Sequence, residues 1–293
     1  MEVRKTTHPG TIDRANCRHH LSRPCFPFTL LAMSSTTPLG RFVWCDLMTT
    51  DTASAIDFYT KTCGWGTDKW QGPAEGMPPY TMWTVGGVAI GGTMTLPPNA
   101  PAPPHWLGYI STPNVQDTVD KAVGLGAKVL VPPTPIPTVG IFSVVADPQG
   151  AMFAAFSPES TTPGHEGQAN TGEFSWFELA TSDTDAALDF YSALFGWTKM
   201  DAMDMGGGMI YQMFGRNGMP YGGAYKIGAE MPMPPNWCHY VRVSNIQSAT
   251  ERTKANGGKV LHGPMDVPGG DQIVMCMDPQ GAMFAMHEVK GQG

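Results

Sequence analysis

The octapeptide Asp147-Pro-Gln-Gly-Ala-Met-Phe-Ala154 occurs a second time, letter for letter, as residues 278–285. In a type I turn, aspartate at the first position can bond back to the backbone. Proline presets φ at the second position, and glycine is favoured at the fourth. Each copy lies between two apolar runs. The pattern therefore predicts that a β-hairpin closes each of two related halves of the chain.

The rest of the chain repeats at almost the same spacing. Trp44 and Trp176 are 132 residues apart, whereas Trp106 and Trp237 are 131 apart. One residue is therefore missing from the second copy between these anchors. We expect the gap to lie in a loop, because a deletion inside a strand would turn its side chains to the wrong face. A repeat of this length corresponds to a whole domain, so the sequence predicts a tandem duplication.

The duplication sets the domain boundaries. We predict a first domain over residues 41–158, a polar linker over 159–172 that is rich in Thr, Gly and Pro, and a second domain over 173–293. Residues 1–40 lie outside the repeats and are rich in arginine. Three interpretations remain open for them: a disordered tail, a misannotated start with Met33 opening the product, or a transit peptide.

Within each copy, the apolar patterns indicate a strand, a helix and three strands, and then the same series again. In the first copy, Thr50 or Asp51 is expected to cap the first helix, and in both copies a glycine, Gly64 or Gly196, is expected to end it. The predicted fold class is α+β, with two βαβββ modules in each domain.

Composition limits the classes of function. The chain has 293 residues, a formal charge of −7 and six cysteines without a CxxC pair. An acidic body argues against nucleic acid, and no apolar run reaches the roughly 18 residues that a membrane span needs. The cysteine pattern favours a reducing compartment over a disulfide framework. We therefore expect a cytoplasmic protein whose partner is a small organic molecule, with neither nucleic acid nor membrane as a partner.

The joint order of the motifs resembles a known family. Trp-x-Asp/Glu-Leu, Phe-Tyr, Gly-Trp and a closing Asp-Pro-x-Gly hairpin occur in that order in both copies. This order is similar to that of the vicinal oxygen chelate (VOC) superfamily, which includes glyoxalase I, bleomycin-resistance proteins and extradiol dioxygenases. The resemblance covers both repeats. It implies that the sheet of each domain curls into a half-open barrel around a pocket.

The resemblance also implies where a catalytic metal would bind, namely to His, Glu or Gln side chains on the first, fifth and eighth strands. The first-strand position falls on Trp44 and Trp176, and an indole N–H cannot bind a cation. The other two positions fall on Gly108 and His239 in the fifth strand and on Ala154 and Ala285 in the eighth. We therefore expect no metal cofactor at the usual site.

Strand alternation offers a replacement in the second domain only. Glu178 follows Trp176 by two residues and His287 follows Ala285 by two, so both are predicted to face inward with His239. These three are the candidate catalytic residues. They could form a displaced site for Fe, Mn, Ni or Zn, or a metal-free acid/base group. Alternatively, Glu178 bonds to a neighbouring group and both histidines are ordinary interior residues.

Four further residues are candidate ligand-binding positions: Trp44, Trp176, Asp46 and Met283. The indoles could form flat walls that stack on a planar ligand, or could fill the core. The acid beside each tryptophan could orient a ligand, or could hold the following loop. Either role would give the buried carboxylate the hydrogen-bonding partner that it needs.

The sequence thus predicts a glyoxalase-like protein that binds a small planar or apolar ligand, with metal-independent lyase or isomerase chemistry in domain 2. A metal-dependent glyoxalase or extradiol dioxygenase is one alternative, and a drug-sequestering protein of the bleomycin-resistance kind is another. Domain 1 is expected to pack on domain 2, and a homodimer is a further expectation.

Overall fold

A computed structural model describes residues 37–70, 72, 80–97, 99–100, 102–160, 162–231 and 233–290. The interpretations of residues 1–36 therefore lie outside the described residues. The described part of the chain belongs to a single compact unit. None of its helices is long and apolar enough to cross a membrane. Its cysteines, Cys45, Cys63, Cys238 and Cys276, are free thiols.

The first repeat follows the predicted order of strand, helix and three strands, twice over. Its elements are β1 (Phe42–Thr49), α1 (Thr52–Cys63), β2 (Gly66–Trp70), β3 (Tyr80–Val85), β4 (Val88–Thr95), β5 (His105–Ser111), α2 (Val115–Gly124), β6 (Lys128–Ile136), β7 (Gly140–Ala146) and β8 (Met152–Pro158).

The second repeat has the same series. Its elements are β9 (Phe174–Thr181), α3 (Thr184–Phe195), β10 (Thr198–Asp204), β11 (Ile210–Arg216), β12 (Met219–Lys226), β13 (Asn236–Arg242), α4 (Ile246–Ala255), β14 (Lys259–Asp266), β15 (Gln272–Met277) and β16 (Met283–Glu288).

Each repeat forms its own eight-stranded sheet. The strand order is β2-β3-β4-β1-β5-β8-β7-β6 in the first and β10-β11-β12-β9-β13-β16-β15-β14 in the second. The two modules of a repeat meet where β1 pairs antiparallel with β5, or β9 with β13. These open, mixed sheets confirm the α+β class and the two βαβββ modules per repeat.

The helix ends follow the local signals in the sequence. The side chains of Asp51 and Asp183 accept hydrogen bonds from the first-turn backbone of α1 and α3, which satisfies donors that the helix itself cannot pair. Gly64 and Gly196 end the same helices in the left-handed conformation that glycine adopts without strain.

The duplicated hairpin has the predicted turn and a second role. Asp147 Oδ1 accepts hydrogen bonds from the backbone N–H groups of residues 149, 150 and 151, and Asp278 does the same in the second copy. The other carboxylate oxygen of each aspartate binds across the duplication. Tyr191 donates to Asp147 over 3.0 Å, and Tyr59 donates to Asp278 over 3.2 Å. The octapeptide therefore ties each repeat to the other.

The spacing changes from 132 to 131 between Trp65/Trp197 and Tyr80/Tyr211, an interval that contains β2 or β10 and its connection to the next strand. Most of that connection in the first repeat, residues 71 and 73–79, lies outside the described residues, so the predicted position of the gap remains a prediction. The strands β2 and β10 were not identified from the residues.

Candidate functional site

Each sheet has one face covered by helices and one face, here called the open face, that is lined by strand residues. In β15 the two faces alternate: Val274 and Cys276 are buried against the helices, whereas Ile273 and Met275 are partly exposed on the open face. The open face of the first repeat is lined by the partly exposed Phe142, Val144 and Met152, with Leu107 and Phe156 buried among them. Each repeat therefore offers an accessible, mainly apolar surface.

A polar cluster lies on the open face of the first repeat. Asp46 is buried, and its Oδ1 accepts a hydrogen bond from the Tyr80 hydroxyl over 2.6 Å and one from Trp44 Nε1 over 2.9 Å. The indole N–H also lies 2.7 Å from the Tyr80 hydroxyl. The Tyr109 hydroxyl lies beside the same carboxyl group.

Strand register and a glycine bring these four side chains together. Trp44 in β1 is directly opposite Tyr109 in β5, and Asp46 lies two residues further on the same face. Tyr80 extends from β3 across Gly92, which is the partner of Asp46 in β4. A Cβ atom at Gly92 would lie 2.1 Å from the Tyr80 hydroxyl oxygen, so only glycine leaves room for the ring.

The second repeat builds the same cluster. The Glu178 carboxyl is buried beside the Tyr240 and Tyr211 hydroxyls, and Trp176 Nε1 donates to the Tyr211 hydroxyl over 2.8 Å. A Cβ at Gly223 would lie 2.2 Å from the Tyr211 ring. We call the two clusters the open-face tetrads. They consist of Trp44, Asp46, Tyr80 and Tyr109 in the first repeat, and of Trp176, Glu178, Tyr211 and Tyr240 in the second.

Burial dominates the electrostatics of both tetrads. It raises the pKa of Asp46 and of Glu178, and the hydrogen bonds from the tyrosines only partly oppose this shift. Burial also raises the pKa of Tyr80 and Tyr211 well above its ordinary value, and the neighbouring acid adds to that effect. The phenols are therefore neutral donors, and each carboxyl can exchange a proton at a higher pH than usual. Such a group can anchor a polar ligand atom or act in acid/base chemistry.

The prediction that His239 faces inward is wrong. Directly opposed residues of an antiparallel pair point to the same side, and His239 is opposite Phe177 rather than Glu178. Its imidazole is fully buried and packs edge-on against Phe42, Phe174 and Phe177. The open-face positions of β13 are instead Cys238 and Tyr240. His239 therefore lies on the opposite side of the sheet from the tetrad.

His287 and Met283 lie in β16 on either side of Ala285, at alternate positions with it. Both are partly exposed, as the open face predicts. His287 contacts Ser175 and Asp271, with Nδ1 3.2 Å from Ser175 Oγ and Nε2 3.0 Å from Asp271 Oδ2. Glu178 and His287 thus share a face, but the predicted trio with His239 is not assembled.

The side chains at the expected metal position do not suit a cation. The open-face residues that lie level with Trp176 are Tyr240 in the fifth strand and Ala285 in the eighth, and their counterparts in the first repeat are Trp44, Tyr109 and Ala154. In the part of the chain that the structure describes, no three His, Cys, Asp or Glu side chains lie together in a group that could hold a metal ion.

Sequence reasoning missed the tyrosines, although the duplication contains their signal. Tyr80 and Tyr211 are 131 residues apart, as are Tyr109 and Tyr240. The Gly-Gly pairs at 91–92 and 222–223 keep the same spacing. A glycine repeated within a strand indicates a close approach, and here each pair accommodates a strand carbonyl and a tyrosine ring.

Comparison with known proteins agrees with the architecture. A family model described as "Glyoxalase/Bleomycin resistance protein/Dioxygenase superfamily" matches residues 41–155 and again 173–286. The chain is 35% identical over 251 residues to CFP32 of Mycobacterium bovis, named "Putative glyoxylase". The match covers 83% of this chain and 92% of that protein. The anthracycline biosynthesis protein DnrV of Streptomyces peucetius is 34% identical over 128 residues, covering 39% of this chain and 46% of DnrV.

Solved structures share the fold at low sequence identity. The Mn(II)-bound glyoxalase of Novosphingobium aromaticivorans superimposes with a TM-score of 0.59 at 14% identity, covering 86% of this chain and 83% of that one. The 2,3-dioxygenase LapB of Pseudomonas sp. KL28 gives a TM-score of 0.58 at 10% identity, with coverages of 87% and 94%. At these identities the likeness concerns the fold alone.

Proposed function

The chain belongs to the glyoxalase/bleomycin-resistance/dioxygenase superfamily, and from that premise we propose that it binds a small, planar, largely apolar organic molecule on the open face of each repeat without a metal. The observation that carries this proposal is the open-face tetrad, which is built twice, each time from a tryptophan, a carboxylic acid and two tyrosines at matching places. The tetrad takes the place of the metal ligands that the family fold would otherwise present.

The apolar part of the site supports a planar ligand. Trp44 and Trp176 are partly exposed on their sheets, and each indole is held by a hydrogen bond from its Nε1. A fixed aromatic ring offers a large contact area at a low cost in side-chain entropy. The surrounding Met, Phe and Val side chains of the open face add apolar contact, and Met283 belongs to this lining in the second repeat.

The polar part of the site supports a single anchoring hydrogen bond. Asp46 and Glu178 lie beneath the apolar surface with a raised pKa, so each can hold a proton or release it to a ligand oxygen. The combination of one carboxyl group and a flat apolar wall suits polycyclic or quinone-like molecules. A relative named for anthracycline biosynthesis agrees with this class of ligand.

Metal-independent lyase or isomerase chemistry in the second repeat is the second candidate function. It is favoured by the buried Glu178, whose raised pKa suits proton transfer to or from a bound carbonyl compound. Simple sequestration, as in bleomycin resistance, would use the same surface without turnover. Release of a changed product from the bound ligand distinguishes the two.

The test is calorimetric titration with 2-methoxyanthraquinone in buffer containing EDTA. We expect two ligands per chain. Trp176→Leu should weaken one site by about tenfold, or about 1.4 kcal/mol, and Trp44→Leu should weaken the other. The two repeats therefore serve as each other's control. Binding that is unaffected by both substitutions refutes the proposal. So does metal analysis that finds about one tightly held ion per chain whose removal abolishes binding.

A further inference from the structure

A hydrogen-bonded chain of three polar side chains lies on the open face of the second repeat. Ser175 Oγ is 3.2 Å from His287 Nδ1, and His287 Nε2 is 3.0 Å from Asp271 Oδ2. The other oxygen of Asp271 accepts the backbone N–H of Lys290 over 2.9 Å, which fixes the carboxylate. We refer to Ser175, His287 and Asp271 as the polar chain.

The first repeat has different residues at the same three places. At the spacings established above, Ser175 corresponds to Val43, His287 to Phe156 and Asp271 to Gly140. Val43 and Phe156 are buried in the apolar cluster of that open face. The same sheet therefore forms with apolar residues there, so the fold does not require the polar chain.

The polar chain adjoins the tetrad. Ser175 precedes Trp176 at an irregularity in the pairing of β9 with β13, and its hydroxyl lies 3.3 Å from the carbonyl oxygen of Tyr240. The His287 side chain is 14% exposed and that of Asp271 is 29% exposed. A ligand stacked on Trp176 would therefore have Ser175 at its edge.

The direction of the hydrogen bonds follows from the Asp271 carboxylate, which is the acceptor at one end of the polar chain. A carboxylate oxygen can only accept, so the proton of a neutral His287 lies on Nε2, facing Asp271. Nδ1 is then an acceptor, as is the Tyr240 carbonyl oxygen, and the two share the single proton of the Ser175 hydroxyl. This leaves the lone pairs of Ser175 Oγ free to accept a hydrogen bond from a ligand hydroxyl.

We propose that the polar chain is a subsite for a hydroxyl group on the planar ligand, and that it makes the second repeat selective where the first is not. Ser175 is the contacting residue, whereas His287 and Asp271 are positioning residues that orient its hydroxyl. This inference rests on the proposed function, because the ring of the ligand must lie against Trp176. The proposal predicts that the ligand sites of the two repeats prefer different molecules.

The experiment compares 2-hydroxyanthraquinone with 2-methoxyanthraquinone, which has the same ring but cannot donate. In the intact protein we expect one of the two sites to prefer the hydroxy probe by about tenfold, as one net hydrogen bond allows. Ser175→Val and His287→Phe install the residues of the first repeat, so the sheet should tolerate both. Each should abolish the preference, so that this site binds the two probes equally well.

Two results would overturn the proposal. A hydroxy preference that survives in S175V shows that Ser175 is not the acceptor. Equal losses of affinity for both probes show that the polar chain only supports the sheet. If neither probe binds the intact protein, the proposed function itself fails, and this outcome is distinct from binding without preference.

Discussion

The buried imidazole of His239 should make the stability of the protein depend on pH. It is fully buried, and neither ring nitrogen has a hydrogen-bond partner among the described residues. Burial, with a smaller contribution from the charge of His105, lowers its pKa from 6.5 to about 3. The folded protein therefore holds His239 neutral at pH values where the unfolded chain protonates it.

The size of the effect follows from proton linkage. Below pH 6.5 the unfolded state binds a proton that the folded state excludes, so the free energy of unfolding falls as the pH falls from about 6.5 towards 3. Each pH unit inside that window corresponds to about 1.4 kcal/mol. Between pH 7 and pH 5, His239 should cost about 2 kcal/mol of stability.

The assay is urea denaturation at pH 7 and pH 5 for the intact protein and for His239→Leu. Other titrating groups act in both proteins, so the difference between their pH dependences isolates His239. The variant should lose about 2 kcal/mol less stability than the intact protein over this interval. His262→Gln is the matched control, because it replaces a histidine that is exposed.

Equal pH dependence in the intact protein and His239→Leu would refute this reasoning. It would mean that the imidazole is protonated in the folded state or is reached by solvent. The same variant, His239→Leu, also tests the conclusion that His239 does not belong to the ligand site. Since His239 lies on the side of the sheet away from the tetrad, its replacement should leave binding of 2-methoxyanthraquinone intact.

Three further predictions follow from the packing. Gly92→Ala and Gly223→Ala should each destabilise the protein by about 1–3 kcal/mol in urea titrations, because the new Cβ displaces Tyr80 or Tyr211. Gly124→Ala in α2, where a Cβ meets open space, is the control, and an equal loss there would contradict the explanation. Tyr59→Phe and Tyr191→Phe should each cost about 1–3 kcal/mol by removing the donor to Asp278 or Asp147. A clear loss in only one of them would show that the two repeats are not equivalent at this contact. The raised pKa values of Asp46 and Glu178 mean that the folded state binds their protons more tightly than the unfolded state does. As the pH rises above about 4, the intact protein should therefore lose stability relative to the variants Asp46→Asn and Glu178→Gln. If denaturation experiments showed the intact protein gaining stability relative to these variants as the pH rises, the two pKa values could not be raised.

Local signals determined much of the architecture. The repeated octapeptide and the glycine after each first helix act within a few residues, so one sequence is enough to read them. The turn motif therefore predicted the two hairpins, and the glycines predicted where the first helices end. The apolar patterns predicted the series of strands, except for β2 and β10. The family resemblance rested on the same local motifs.

Contacts between distant residues could not be read in this way. The Tyr80 hydroxyl reaches Asp46 from 34 residues away, and the Tyr59 hydroxyl reaches Asp278 from 219 residues away. The first contact depends on the parallel pairing of β1 with β4 and on the space above Gly92. The second depends on how the two repeats pack.

The sequence by itself determined that the chain is a duplicated α+β protein and that Trp44, Asp46, Trp176 and Glu178 alternate onto one face of their strands. Only the tertiary structure decided which residues of the fifth strand join them. Alternation gives two sets of side chains in every strand, and the register with the neighbouring strand selects the set that faces the ligand. That register places Tyr240 beside Trp176 and turns His239 into the core.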